Sequence, residues 1–214
     1  NEKKSDLAIQ FFQSAVRLDN TNVNFKVNLA LEYARAKQNG KAMPLLKEID
    51  SLSPDIPVVL YTLGNCYASI GKLDSAETCF DRAVNKGEKV DDLFFHRGTV
   101  KQALKKVEQA EKDYLTALEI NAKNIPCRQE LGMMYIFQRR FAEAAKQFES
   151  LVKTDSTNDF GWIGLGASYS LAGRTTDGDK VLERLFAKDS TLGFQMLQFI
   201  GDESKAMSKE KQKK

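Results

Sequence analysis

Five groups of residues in the sequence have types and spacings that could do chemistry. The run Gly173, Arg174, Thr175, Thr176, Asp177, Gly178, Asp179, Lys180 comes close to a phosphate-binding loop. In such a loop backbone amides cradle the phosphates, and the lysine after the second glycine reaches their outer oxygens. Here Asp179 holds the lysine position, and no strand precedes the run to aim the amides, so nucleotide binding is not expected. Gly161, Gly164 and Gly166 form a second glycine cluster, but inside a helical pattern in which Gly166 already serves packing. His96 is the only histidine, and no Cys or second His lies near it to complete a ligand set or a nucleophilic triad. Cys66, Cys79 and Cys127 are too few and too widely spaced for a disulfide framework or a Cys-x-x-Cys metal pair, and they read as small buried core residues. Asp91 and Asp92 sit at a helix start, where carboxylates interact favourably with the helix dipole. No catalytic, cofactor or metal residue is therefore expected.

The elements that carry these residues explain them better than chemistry does. The chain has 214 residues, 42% of them hydrophobic and 29% charged, with only 4 prolines, which leaves room for many uninterrupted helices. No apolar run approaches the roughly 20 residues of a membrane helix, so membrane insertion is not expected. The net charge is +3, and none of the five successive 34-residue windows from residue 23 departs from neutrality by more than one charge. Nucleic acid is thus not an expected partner. The one lysine-rich stretch, Lys209 to Lys214, reads as a solvated, frayed end. The chain opens at Asn1 without an n-region or h-region, compatible with a cytoplasmic protein or with a periplasmic one whose signal peptide has been removed.

Self-comparison at a spacing of 34 aligns the whole chain without insertion or deletion. Small residues recur at Ala30, Gly64, Gly98, Gly132 and Gly166, and again at Ala8, Ala42, Ala76, Ala110, Ala144 and Gly178. Four residues beyond the second series lie Phe12, Leu46, Phe80, Tyr114, Phe148 and Leu182. Three further on lie Ala15, Ile49, Ala83, Ala117, Leu151 and Leu185. Apolar residues three and four apart, as in Leu60, Leu63, Gly64 and Tyr67, mark one helical stripe in the first half of each unit. The second half carries a facing stripe, and the short turn between, at Asn39-Gly40, Ile70-Gly71 or Ala172-Gly173, allows only an antiparallel neighbour. Large side chains of the second helix fill the space above the small residues of the first. The remaining face must be buried against the next pair.

The order Leu60, Leu63-Gly64, Tyr67, Gly71, Ala76, Phe80, Ala83 resembles the tetratricopeptide repeat, as does the run Trp162, Leu165-Gly166, Tyr169, Gly173. The resemblance implies an all-α, right-handed α-solenoid of antiparallel helix pairs in one domain over residues 1–214. Full repeats are expected at 23–56, 57–90, 91–124, 125–158 and 159–192. Residues 1–22 read as a second helix alone, and 193–214, with Phe194, Met196, Leu197, Phe199 and Ile200, as a closing helix and charged tail. Departures from the pattern are local. The boundary proline survives only as Pro54, so the later boundaries rely on Asn, Gly, Asp or Ser turns. Arg97 and Lys101 replace the expected Leu and Tyr, predicting a looser unit or snorkelling side chains. Gly178 in place of alanine predicts a second helix weakened by about 1 kcal/mol.

The resemblance also implies where recognition would occur: on the concave side, lined by the first helices. The matching positions here are Asn24, Val27, Leu31, Tyr61, Asn65, Phe95, Thr99, Gln129, Met133, Phe137, Ile163, Ala167 and Leu171, a mostly apolar lining. The carboxylate-gripping set of the family's chaperone-binding members is absent, since those sites read Val27, Leu31, Thr62, Asp92 and His96. The expectation is a non-catalytic scaffold or adaptor that binds an apolar peptide or an amphipathic helix of a protein partner around Phe95, Met133 and Phe137. The alternative is a regulatory or targeting repeat segment of a larger protein, such as an enzyme or an exported assembly factor. A second contact is expected at Ala8, Phe12 and Ala15, which lack the cover of a first helix and could pair two copies of the chain.

Overall fold

The computed structural model describes residues 2–211, which form twelve α-helices and no strand among the described residues. They fall into two compact units that meet at residues 120 and 121. The first contains α1 (Glu2–Leu18), α2 (Val23–Arg35), α3 (Asn39–Leu52), α4 (Pro57–Ser69), α5 (Leu73–Asn85), α6 (Asp91–Ala103) and α7 (Val107–Ile120). The second contains α8 (Ile125–Phe137), α9 (Phe141–Thr154), α10 (Asp159–Leu171), α11 (Thr175–Lys188) and α12 (Ser190–Lys211). The helices α2, α4, α6, α8 and α10 start 34 residues apart, and so do α3, α5, α7, α9 and α11. The fold is an all-α solenoid of helix pairs. Of the lysine-rich end, Gln212, Lys213 and Lys214 lie outside the described residues.

Three of the pairs close where glycine meets a ring. An added Cβ would lie 2.5 Å from the ring of Phe80 at Gly64, 2.8 Å from that of Tyr114 at Gly98, and 2.8 Å from that of Phe148 at Gly132. Phe80, Tyr114 and Phe148 are completely buried. The glycines are therefore spacers that let two helices approach closely enough to enclose a large side chain. The α10 cluster has the same purpose: Gly164 lies under Phe148, and Gly161 under Leu151. Gly166 departs from the series, because Met196 of α12 and Val181 cover it instead of Leu182. Gly178 is more than a weak helix former. A Cβ there would lie 2.3 Å from Ser170 Oγ and 3.4 Å from the Gly166 carbonyl. The three cysteines are buried, as their spacing suggested.

The turns inside the pairs share one backbone device. Lys37, Gly71, Lys105, Arg139 and Gly173, again 34 apart, all have positive φ, between 57° and 80°. This corrects the reading of Asn39-Gly40 as the first of these turns, because α3 already begins at Asn39 and continues through Pro44. Pro44 has no amide to donate to the carbonyl of Gly40, and the helix continues past it. A side chain in the left-handed region costs energy that glycine avoids. Lys37→Gly, Lys105→Gly and Arg139→Gly are each expected to stabilise the fold by about 0.5 to 1 kcal/mol. Urea melts of the single variants check this, and lower midpoints would contradict it.

Boundaries between pairs use side-chain caps where proline is missing. Asn22, Asn124 and Asn158 accept from the first-turn amides of α2, α8 and α10. Asp19, Asp155 and Asp189 each accept from the amide two residues on, at Thr21, Thr157 and Thr191. At the boundary that keeps Pro54, Asp55 has φ 67° and is held by Arg82 and Lys86, both at 2.9 Å. These cations hold its carboxyl below the ordinary carboxylate range.

The expectation for residues 91–124 was wrong in kind. Arg97 and Lys101 neither loosen the unit nor snorkel out; they are drawn into a buried ion cluster. Lys101 is 7% exposed and Asp113 of α7 is 4% exposed. Arg97 grips both oxygens of Asp113 and reaches Asp81 of α5 at 3.0 Å, while Lys101 Nζ lies 3.0 Å from Asp113 Oδ2. Two cations and two carboxylates thus tie α5, α6 and α7 together where the other pairs use Leu and Tyr.

Both chain ends also differ from expectation. Phe12 packs against the core formed by Ile9, Leu29 and Tyr33, and Ala8 and Ala15 are half-buried. The exposed apolar side chains of α1 are Leu7, Phe11 (66% exposed) and Leu18, because α1 turns its Ile9–Val16 side onto α2. In α12 Gly193 and Met196 are buried, Phe199 and Ile200 are half-buried, and Phe194 and Leu197 remain exposed. The first half of the closing helix is thus partly apolar on its outside, while the exposed Asp202, Ser204, Lys205, Ser208 and Lys209 make its second half polar.

Candidate functional site

The inner positions of the first helices are spaced four residues apart, so each helix offers one short row of side chains. In the first unit, α2 and α4 bring Leu31, Tyr61 and Asn65 to a cleft of about 760 Å³. The same cleft is lined by Arg35, Asn39, Val58, Ser69 and Asp92. Its wall is more polar than the sequence reading held. Asn39 Nδ2 donates to Ser69 Oγ at 2.8 Å, and Ser69 Oγ donates in turn to the Cys66 carbonyl at 2.8 Å. Burial pushes the Tyr61 hydroxyl up from its ordinary pKa, with Asp92 and Asp91 adding to the effect and a hydrogen bond with Asn65 opposing it. Thr62 is buried and donates to the Val58 carbonyl at 2.7 Å, so it faces inward.

Beside the cleft the aromatic rings of Tyr61, His96, Phe95 and Tyr114 form a ladder, with successive centroids 6.1, 5.1 and 6.1 Å apart. Phe95 is half-buried in this ladder. Thr99 is exposed and donates to the Phe95 carbonyl at 3.0 Å. Val27 is half-buried against the core and Asn24 is exposed; neither lines the cleft.

Burial lowers the pKa of His96 below its ordinary 6.5, with Asp92 opposing. The folded chain therefore holds this ring neutral where the unfolded chain begins to protonate it. Its contribution to stability is complete above pH about 6.5 and is lost as pH falls through the lowered folded value. Between pH about 7.5 and 5, the native chain should lose more stability than His96→Gln. Equal losses in urea melts at the two pH values would contradict this.

In the second unit the row on α8 is Gln129, Met133 and Phe137, and that on α10 is Ile163, Ala167 and Leu171. Phe137 is 61% exposed, Met133, Ile163 and Leu171 are half-buried, and Ala167 is fully buried, so it offers no surface. Gln129 Nε2 donates to Asn158 Oδ1 at 3.4 Å. Three exposed residues were missed: Phe160 on α10, and Phe194 and Leu197 on α12. Phe160 stands where Val58 of the first-unit cleft stands in α4, whereas α12 begins 31 residues after α10 and does not continue the 34-residue register. Extending the register to the start of α10 would have found Phe160.

Among the described residues no three His, Cys, Asp or Glu side chains could together hold a metal ion. No described helix is long and apolar enough to cross a membrane.

Two models of the family described as tetratricopeptide repeat match the chain, one over residues 33–93 and one over 91–124. Residues 33–124 are a tetratricopeptide repeat region. Tetratricopeptide repeat proteins bind protein partners, and the family is generally non-catalytic. No curated protein matches the sequence of this repeat protein. Solved structures share its fold at low identity. YrrB, described as a TPR protein with an unusual peptide-binding site, superposes with a TM-score of 0.75 at 20% identity, covering 87% of this chain and 97% of its own. PilF of Pseudomonas aeruginosa superposes with a TM-score of 0.75 at 14% identity, covering 92% and 90%. A MamA protein gives 0.68 at 14% identity, covering 82% and 92%.

Proposed function

We propose that this repeat protein is a non-catalytic scaffold that holds a protein partner on the inner rows of its first helices. The observation that carries the reading is the cleft of the first unit, where Leu31, Tyr61 and Asn65, positions that the family resemblance implies for a bound peptide, share one wall with Asn39, Ser69 and Asp92. Apolar side chains there can take an apolar residue of a peptide, and the amide and hydroxyl groups can hold its backbone. The peptide-binding site ascribed to YrrB supports the same use of the fold. Phe95, Met133 and Phe137 serve as anchors, each contributing roughly 1.5 to 3 kcal/mol when covered.

Affinity capture from the native source with the full chain, with Phe95→Asp and with Phe137→Asp tests the reading. Loss of the same partner from either folded variant is expected. Identical partner sets from all three proteins would overturn it.

A further inference from the structure

The charged side chains that line the first-unit cleft are Arg35, Lys37 and Asp92, and the fold sets them at opposite ends of it. The first helices α2, α4 and α6 are each followed by one second helix and run the same way, so the 34-residue register gives positions at one level. Arg35 of α2 stands at the register position of Ser69, the last residue of α4. Lys37 follows at the same end, where Asn39 is bonded to Ser69 at 2.8 Å. Asp92 of α6 stands at the register position of Val58, in the first turn of α4. From Val58 to Ser69 the helix rises by about 16 Å, at 1.5 Å per residue. One end of the cleft is therefore cationic and the other carries a carboxylate, with Leu31, Tyr61 and Asn65 between them.

Arg35 is already paired with Glu32, whereas Lys37 and Asp92 are exposed and have no ion-pair partner among the described residues. Their charges are open to a ligand. The amides of Asn39 and Asn65 and the hydroxyl of Ser69 offer hydrogen-bonding groups to a peptide backbone. An extended chain advances about 3.3 Å per residue, so side chains about five residues apart reach both ends of the cleft. Resting on the reading of the inner rows as binding surfaces, we infer that this cleft takes an extended segment of a protein partner with an acidic and a basic side chain about five residues apart. The acid is set against Lys37, the base against Asp92, and the apolar side chains between them against Leu31 and Tyr61. A segment with the same charge at both ends meets a like charge at one of them and is rejected.

Five hexapeptides, blocked at both termini and carrying one uncharged fluorophore, test this with the full chain. All have Leu second and fourth and Ser third and fifth. Their end residues are Glu and Lys in either order, Glu and Glu, Lys and Lys, or Gln and Gln. Anisotropy titration at low salt should show the better of the two Glu/Lys peptides binding roughly tenfold tighter than the last three, with the margin narrowing at high salt. Lys37→Glu should make the Lys/Lys peptide the tightest, and Asp92→Lys the Glu/Glu peptide, a change of rank that loss of fold cannot produce. Both positions are exposed, and circular dichroism checks the folded state. Lys37→Gly or Asp92→Asn replaces a variant that fails this check, and should erase the lead of the Glu/Lys peptide over Lys/Lys or Glu/Glu respectively. A Glu/Lys peptide no tighter than Gln/Gln, a rank unchanged in the variants, or no saturable binding overturns the inference. None of these outcomes touches the scaffold reading, whose separate failure is identical partner capture by the native chain, Phe95→Asp and Phe137→Asp.

Discussion

Asp113→Ala is expected to destabilise the fold by about 3 to 5 kcal/mol, a loss typical of breaking a buried ion pair from one side. Asp113 is the shared acceptor of Arg97 and Lys101, and its removal leaves those two buried cations with only the half-exposed Asp81. The desolvation already imposed on both is then no longer offset. The companion variant separates this cost from the worth of the cluster. Arg97→Leu with Lys101→Tyr and Asp113→Val installs residue types found in other repeats, as at Leu131, Tyr135 and Val181. That triple variant should match or exceed native stability, by up to about 4 kcal/mol. Urea denaturation followed by circular dichroism measures both. A mild Asp113→Ala, or a triple variant as damaged as the single one, would contradict the account of the cluster.

Phe148→Ala should cost about 3 to 5 kcal/mol in the second unit. The ring of Phe148 lies over two glycines at once, Gly132 of α8 and Gly164 of α10, where added Cβ atoms would come within 2.8 and 2.6 Å of it. It also meets Phe160, with centroids 6.2 Å apart. Its removal opens a cavity bordered by glycine backbone, with no neighbouring side chain there long enough to fill it. Gly132→Ala is expected to cost about 1 to 3 kcal/mol through overpacking. The pair Gly132→Ala with Phe148→Leu should then cost less than the two single changes combined, since the smaller side chain gives the methyl room. Trp162 in α10 reports the transition by fluorescence. Strict additivity would mean that the glycine and the ring do not interlock.

The fold was readable in the sequence because a 34-residue register repeats the same packing problem. Gly64 beside Phe80 means little alone; with Gly98 and Tyr114, and Gly132 and Phe148, the helix pair is specified. What the register could not show lay in exchanges of chemistry at fixed positions. Arg97 and Lys101 looked like defects because their compensating carboxylates, Asp81 and Asp113, lie 16 residues upstream of Arg97 and 12 downstream of Lys101. Lys37 was missed as a left-handed turn residue because only Gly71 and Gly173 display that need openly. The inner rows were located by register as well, but their polarity depended on neighbours. Asn39 and Ser69 enter the first cleft from outside the rows chosen, or from a position left out of them. Phe194 and Leu197 remain exposed on α12, whose start breaks the 34-residue register.

The central claim is that partners are held on the inner rows of the first helices. A photo-crosslinking residue placed singly at Phe95, Phe137, Lys112 and Lys146, in cells that make the protein, tests it most directly. Lys112 and Lys146 are exposed on the second helices α7 and α9 and serve as outer references. Protein adducts from positions 95 or 137, absent from 112 and 146, are the predicted result. Adducts from the second-helix positions alone, or the same adducts from all four, would contradict it.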